Sequence, residues 1–303
     1  MGPPETSNIL CCLKKSAVKI KRVGLIANPE KPDCRGVVRN TAAAITRTGR
    51  SVLMDSPTAE WVGSVHERAR DLRQLARRAD VILVFGGDGT MLRVAREVAG
   101  SSTPILGINT GGLGFLTAAS SSQSDAVLAD LWAGNFEVET RPLIEALRRG
   151  HECQLALNDF VISRSHVPRL IELEVCVDGV ELTRYRCDGL IVSSPTGSTA
   201  YSLAAGGAIV APNAEVIALT PLSPHTLSIR PVIVSLSSII QVRVVSPRVE
   251  TLLSADGQVQ TQLANGDIVT VRRSRRSVEL ARPGGSSFFG TLRQKLRWSG
   301  STV

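Results

Sequence analysis

"VILVFGGDGTMLRVAREVAG" occupies residues 81–100 and divides into three parts of different physical character. Five consecutive apolar residues, Val81 to Phe85, suit a strand covered on both faces. Gly86-Gly87-Asp88-Gly89-Thr90 follows with small residues and free backbone N–H groups, and the remainder carries apolar side chains at helical spacing. A buried strand that passes through glycines into a helix start stabilises anions, because backbone N–H groups converge there. The spacing is neither G-x-G-x-x-G nor the Gly-Lys-Ser/Thr of a Walker loop, so neither hydride-cofactor nor P-loop chemistry follows. Two readings of Asp88 remain: a turn residue that caps Thr90 or Met91, or a group that handles a proton beside a phosphate.

Working outward, the same texture runs from Val18 to about Trp132. Short apolar runs, "RVGLIAN", "SVLMD" and "TPILGIN", alternate with the helical patterns "RGVVRNTAAAITRTG" and "ERARDLRQLARRAD". This alternation predicts an α/β domain, a parallel sheet with flanking helices. "GINTGGLGFLT", residues 107–117, is a second glycine-rich strand end. In a parallel sheet the two loops share the carboxyl edge, where open α/β sheets bind ligands.

After Phe136 the texture changes to serial strands such as "LIELEVCVDGVELTRYR", "PVIVSLSSIIQVRVVS" and "DIVTVRRSRRSVELA". These predict a mostly antiparallel, β-rich second domain with turns at pairs such as Asp178-Gly179. "SPTGSTAYSLAAGGAI" interrupts it and suits a Ser/Thr-capped helix stopped by Gly206-Gly207. The expected organisation is a flexible extension over 1–17, an α/β domain over 18–134, a β-rich domain over 135–283 and a helical tail over 284–303.

Bulk properties narrow the function. The 303 residues, 43% hydrophobic, can fill two cores. Thirty-five Lys and Arg against 27 Asp and Glu give a net charge of +8, which favours anionic partners. Aromatics are only 4%, and no basic stretch is interleaved with stacking rings, so a nucleic-acid platform is not expected. "VRRSRRS", 271–277, reads as the solvated face of an edge strand rather than a polyphosphate track. Six cysteines without C-x-x-C spacing suit a reducing cytoplasm. No apolar run approaches the roughly 20 residues a membrane helix needs, so no membrane partner is expected.

Two further stretches carry chemistry. Asn158-Asp159 sits in the apolar strand "LNDFVIS", where a carboxylate and an amide must either brace the core or face a ligand. "CDGLIVSSPTGSTAYSLAAGG", 187–207, is more polar than packing needs; its hydroxyls point to a polar ligand, with a capped, solvated helix as the alternative.

With these stretches in view, the chain resembles the NAD kinase family from about residue 20 to its end. The marks are GGDGT at 86–90, GINTGGLGFLT at 107–117, LND at 157–159, DGLIVSSPTGSTAYSLAAGG at 188–207, PLSPHTLSIRP at 221–231, ADGQ at 255–258 and FFGTLRQKLRW at 288–298. GGDG alone is shared with lipid kinases; the combined set is far more specific. A lipid kinase would need an acyl-chain pocket and would not need the polar sets at 158–159 and 196–202. A silent NADP-binding sensor on the same fold is the rival outside enzymes.

The resemblance implies an NAD kinase: phosphorylation of the adenosine ribose 2'-hydroxyl of NAD with ATP, or in some members polyphosphate, as donor. It implies that Asp88 is the proton acceptor and that Gly86, Gly87, Gly89 and Thr90 form the donor-phosphate loop. Asn158 and Asp159 would meet the dinucleotide, with Gly89, Arg186, Asp188, Thr196, Thr199, Ala200, Tyr201, Ser202, Leu203, Ala204 and Gln258 around it and Arg93 and Arg169 as further candidates. Arg186 stands where the family varies with the choice between oxidised and reduced dinucleotide, and a cation there leans towards NAD. Mg2+ or another divalent cation would arrive with the donor phosphates, and homodimers or homotetramers would place the dinucleotide sites near subunit contacts. Physically, a carboxylate is too weak a base to strip an alcohol beforehand, but it can align the hydroxyl and take the proton late.

Overall fold

A computed structural model of the chain describes residues 14–15, 20–31, 34–64, 66–112, 114–165, 169–247 and 249–298. The expected flexible extension over 1–17 lies outside the described residues except for Lys14–Lys15, which form β1. The N-terminal half continues with β2 (Arg22–Ala27), α1 (Cys34–Arg47), β3 (Ser51–Asp55), α2 (Ser56–Val62), β4 (Glu67–Ala69) and α3 (Leu72–Arg78). Then come β5 (Val81–Gly86), α4 (Asp88–Glu97), β6 (Ile105–Asn109), β7 (Thr117–Ser120) and α5 (Ser124–Ala133).

The C-terminal half begins with β8 (Phe136–Leu147), β9 (Gln154–Ala156), β10 (Asp159–Arg164), β11 (Ile171–Val177), β12 (Val180–Cys187) and β13 (Gly189–Ser193). After α6 (Tyr201–Ala204) follow β14 (Val216–Leu222), β15 (Val232–Ser235), β16 (Ile240–Val244), β17 (Thr251–Ala255), β18 (Val259–Leu263) and β19 (Ile268–Pro283). The chain's last described element is α7 (Phe288–Leu296), capped by the Ser287 hydroxyl on Gly290 N at 3.0 Å.

The apolar run at 81–85 is explained by its position. β2, β3, β4, β5, β6 and β7 are parallel, and β5 lies between β2 and β6. Val81, Leu83 and Phe85 pack on one face with residues of α1, α2 and α5; Ile82 and Val84 pack on the other with residues of α3 and α4. A strand covered on both faces needs no polar alternation. The second core lies between β11, β16 and β19 on one side and the six-stranded antiparallel sheet β15-β14-β13-β10-β17-β18 on the other, where Leu173, Val242 and Val269 meet Phe160, Leu190 and Leu253.

β19 joins the halves. Its start pairs antiparallel with β16, and its end pairs parallel with β6 at Leu280 and Ile105. Val278 and Leu280 thereby bury in the core under α3 and α4, and Ala281 in the core under α1. The edge-strand reading of 271–277 is corrected only in part: β8 pairs one side of β19, and β16 and β6 pair its start and end on the other. Within 271–277 only Val271 meets β16 and the ladder with β8 breaks between Arg273 and Ser277, so the arginines lie on a solvated face as expected. Two of these exposed arginines are matched to acids, Arg272 to Glu145 at 2.8 Å and Arg273 to Glu215 at 2.7 Å. A second correction falls on "ERARDLRQLARRAD". Glu67–Ala69 extends along β3 as an edge strand, and the helix starts only after Asp71, whose carboxylate caps Gln74 N at 2.6 Å.

Candidate active site

Asp88 is the first residue of α4, and Gly87, with no side chain, is the N-cap. The carboxylate does not cap its own helix. It crosses to the loop after β6, where it accepts from Phe115 N at 2.9 Å and Leu116 N at 3.1 Å. A β-carbon on Gly114 would collide with that carboxylate, so the glycine of "GGLGF" is what lets the acid reach across. The two glycine-rich loops are therefore linked through Asp88 itself. Within GGDGT, Gly86 ends β5 and Thr90 is buried behind it.

A second acid fixes the opposite wall. Asp256, in the turn between β17 and β18 at φ 50°, has a fully buried side chain. It accepts from Leu157 N at 3.1 Å, Asn158 N at 2.8 Å and Asp159 N at 3.2 Å, and it pairs with Arg96 of α4 at 2.7 Å. Arg96 also donates to Gln258 Oε1 at 2.6 Å, and Gln258 Nε2 donates to Gly89 O at 2.7 Å. Sequence reasoning found Gln258 but missed Asp256 and Arg96. Asp256 reads as a turn former, and a lone arginine on an amphipathic helix gives no signal.

Asp159 itself is only 4% exposed, and its carboxyl makes no hydrogen bond among the described residues. Burial first, and the neighbouring Asp256 second, push it up to about 7. A buried carboxyl without a partner faces either a proton or a ligand hydroxyl.

The segment at 194–207 folds as a 3-10 turn, Thr196–Thr199, followed by the short α6. The stop is as expected: Gly206 has φ 84°, and Gly207 N donates to Ser202 O at 2.8 Å. Most of its hydroxyls are consumed internally. Ser194 donates to Leu157 O at 2.5 Å and accepts from Gly197 N; Ser198 bonds Pro195 O and Val210; Ser202 meets Thr220 at 2.9 Å. They lock the turn onto the start of β10, so closely that a β-carbon on Gly197 would collide with the Asn158 backbone. Thr199 bonds back to Thr196 O, Ala200 and Leu203 are half-buried, and Tyr201 is 49% exposed.

Thr196 leads to a third group that the sequence did not announce. Its hydroxyl lies 3.3 Å from Arg141 Nη1; Arg141 also pairs with Glu139, and Glu139 accepts from Arg282 Nε at 3.1 Å. Arg282 donates to Phe115 O at 3.4 Å, next to the amide that holds Asp88. Hydrogen bonds, ion pairs and chain neighbours thus link Asp88, Phe115, Arg282, Glu139, Arg141 and Thr196, and, through Pro195, Ser194, Asn158, Asp256, Arg96, Gln258 and Gly89 in a ring. Burial alone would raise Glu139, but Arg282 and Arg141 outweigh it and hold the carboxyl below its ordinary 4.5.

The remaining predicted residues are not in this ring. Arg93 pairs with Glu97 at 3.4 Å on the exposed side of α4. Asp188 pairs with Arg164 at 2.6 Å, and Arg186 and Arg169 are exposed. β10 and β13 run antiparallel with Asp159 opposite Ser193 and Ser163 opposite Gly189. Asp188, whose carbonyl accepts from Arg164 N, therefore sits at the far end of these strands, about 17 Å from Asp159 at roughly 3.4 Å per residue, and Arg186 precedes it on β12.

A glycine-lined carboxyl edge facing a β-rich wall, with one carboxylate bridging the two loops, defines a small-molecule phosphotransferase class of site. Residues 23–136 match the ATP-NAD kinase N-terminal domain, and residues 157–282 match the ATP-NAD kinase C-terminal domain. The NAD kinase of Ralstonia nicotianae is 40% identical over 282 residues, 92% of this chain and 93% of that protein. The NAD kinase of Cupriavidus pinatubonensis is 38% identical over 291 residues, 94% and 95% of the two chains. The crystal structure of yeast NADH kinase complexed with NADH superposes with a TM-score of 0.84 at 26% identity, covering 95% of this chain and 90% of that one. An NAD kinase from Archaeoglobus fulgidus in complex with ATP gives 0.72 at 28% identity, covering 92% and 100%. The chain belongs to the NAD kinase family, whose reaction phosphorylates NAD to NADP.

Proposed function

We propose that the ribose 2'-hydroxyl of NAD lies against Asp88, with Asn158 and Asp159 on the far side of the ribose and ATP phosphates over the glycines of 86–89. The observation that carries this is the Asp88 carboxylate, held by two amide N–H groups at the junction of both glycine loops. The hydroxyl oxygen attacks the terminal phosphorus, the bond to the ADP oxygen breaks, and the proton passes late to Asp88. The amides fix the acid's direction, so orientation does more than basicity. Asp159, which lacks a partner of its own, suits a ribose hydroxyl. Among the described residues no group of three His, Cys, Asp or Glu could cage a metal, so a divalent cation would take most of its ligands from donor phosphates and water.

We adopt the division into an α/β part over 18–134 and a β-rich part over 135–283, with the site between them and the end of β19 crossing back. Asp188, about 17 Å from Asp159 in one chain, and the exposed Arg186 and Arg169 fit a homo-oligomer in which two subunits complete each dinucleotide pocket. No helix among the described residues is long and apolar enough to cross a membrane, and Cys153, Cys176 and Cys187 form no disulfide, which suits the cytoplasm.

The decisive experiment incubates the protein with NAD, Mg2+ and either ATP or polyphosphate, and follows NADP through an NADP-specific dehydrogenase. Asp88→Asn is expected to bind NAD nearly normally and to lose on the order of 100-fold or more in kcat. Tight NAD binding without NADP formation by the unmodified protein would leave a sensor instead.

A further inference from the structure

The turn after β2 is the third element at the carboxyl edge, and no part of the site described so far uses it. β2 lies beside β5 and β5 beside β6, so the turn stands next to both glycine loops. Asn28 N donates to Phe85 O at 3.0 Å, and Lys31 N donates to Asn28 O at 3.1 Å, which folds the turn back over the end of β5. This brings Lys31 Nζ to 3.6 Å from where a β-carbon would stand on Gly87 and 3.7 Å from one on Gly111. The ammonium thus lies over the α4 N-cap and over the loop after β6 at once.

Four arginines near the site are already engaged among the described residues. Arg96 is matched to Asp256, Arg93 to Glu97, and Arg141 and Arg282 to Glu139. The Lys31 ammonium enters no ion pair or hydrogen bond among the described residues. Beneath it α4, ten residues long, has no side-chain cap, so the N–H groups of its first turn also lack a side-chain acceptor. A free ammonium facing uncapped helix N–H groups, across glycines that leave room, is a polyanion cradle.

We propose that Lys31 binds the terminal phosphates of the phosphoryl donor over Gly87 and Gly111. The assignment rests on the kinase reading for the identity of the donor. Lysine suits this role, because a compact charge with three rotatable donors follows a phosphoryl group as it moves from leaving to attacking oxygen.

Lys31→Met and Lys31→Arg should be compared with the unmodified protein by steady-state kinetics, varying MgATP and NAD separately, and by calorimetric titration with inorganic tripolyphosphate, which needs no turnover. Lys31→Met should raise the KM for ATP about tenfold or more, lower kcat, leave the KM for NAD within about twofold and abolish tripolyphosphate binding. Lys31→Arg should recover part of the tripolyphosphate affinity. An unchanged KM for ATP with unchanged tripolyphosphate binding would overturn the assignment, as would equal rises in both KM values. If tripolyphosphate binding depends on Lys31 but no NADP forms, the kinase reading fails and the polyanion site stands. If NADP forms and Lys31→Met changes nothing, the Lys31 assignment alone fails.

Discussion

Asp159 shows how a single residue couples stability to function. Its carboxyl is buried beside Asp256, and desolvation followed by that charge pushes it from 3.8 up to about 7. A folded value above the unfolded one means that the folded state holds the proton more tightly, so stability falls as pH rises from about 4 through 7. Asp159→Asn removes this penalty. Urea unfolding should show the variant roughly 2–4 kcal/mol more stable at pH 8, with the gap narrowing towards pH 4, while NAD affinity drops. A gap that does not change with pH would mean that the carboxyl is ionised and compensated in the folded protein. The sequence made Asn158-Asp159 legible, because polar residues in an apolar strand need a reason. It concealed the partner: Asp256 lies 97 positions away from Asp159 and looks like a hairpin residue until its carboxylate is seen gathering three amides at the entry to β10.

At the scale of elements, the long strands β8 and β19 do more than close a sheet. Glu139 on β8 sits between Arg141 of the same strand and Arg282 of β19, and these arginines reach Thr196 on one wall and Phe115 on the other. Glu139→Gln would leave two buried guanidinium groups without a countercharge, which should cost about 3–5 kcal/mol in urea unfolding at pH 7. The folded Glu139 carboxyl is depressed below 4.5, so its contribution is present above that pH and is lost as pH falls through the folded value. The difference between the two proteins should therefore shrink in acid. A gap below about 1 kcal/mol at pH 7 would mean that water, and not Glu139, compensates the arginines. Local pattern located β2, β3, β5 and β6 because burial on both faces writes itself into consecutive residues. It misjudged β4 and the centrality of β19, because helix-forming Arg, Leu and Ala dominate 67–80 and a strand's neighbours are not encoded in the strand.

At the scale of the whole molecule, the predicted dinucleotide residues fall into two groups, one around Asp159 and the other, Arg186 and Asp188, towards the opposite end of β10 and β13. The loop between β14 and β15 folds against the second group, with His225 N donating to Arg186 O at 2.9 Å, and two residues further on Leu227 is 90% exposed. Ile233, on the edge strand β15, is 49% exposed. Apolar side chains held open beside exposed cations suit a contact between subunits. If each pocket takes Asp88 from one subunit and Arg186 from another, two inactive variants should complement. Asp88→Asn and Arg186→Glu, each weak alone, would on random pairing in a two-fold dimer leave about a quarter of the pockets intact. Co-refolding them and measuring NADP formation against each variant refolded alone reads this directly. Recovery near that fraction supports shared pockets; no recovery from two individually inactive proteins means that one chain holds the whole site. An Arg186→Glu variant with an unaltered KM for NAD would remove Arg186 from the pocket.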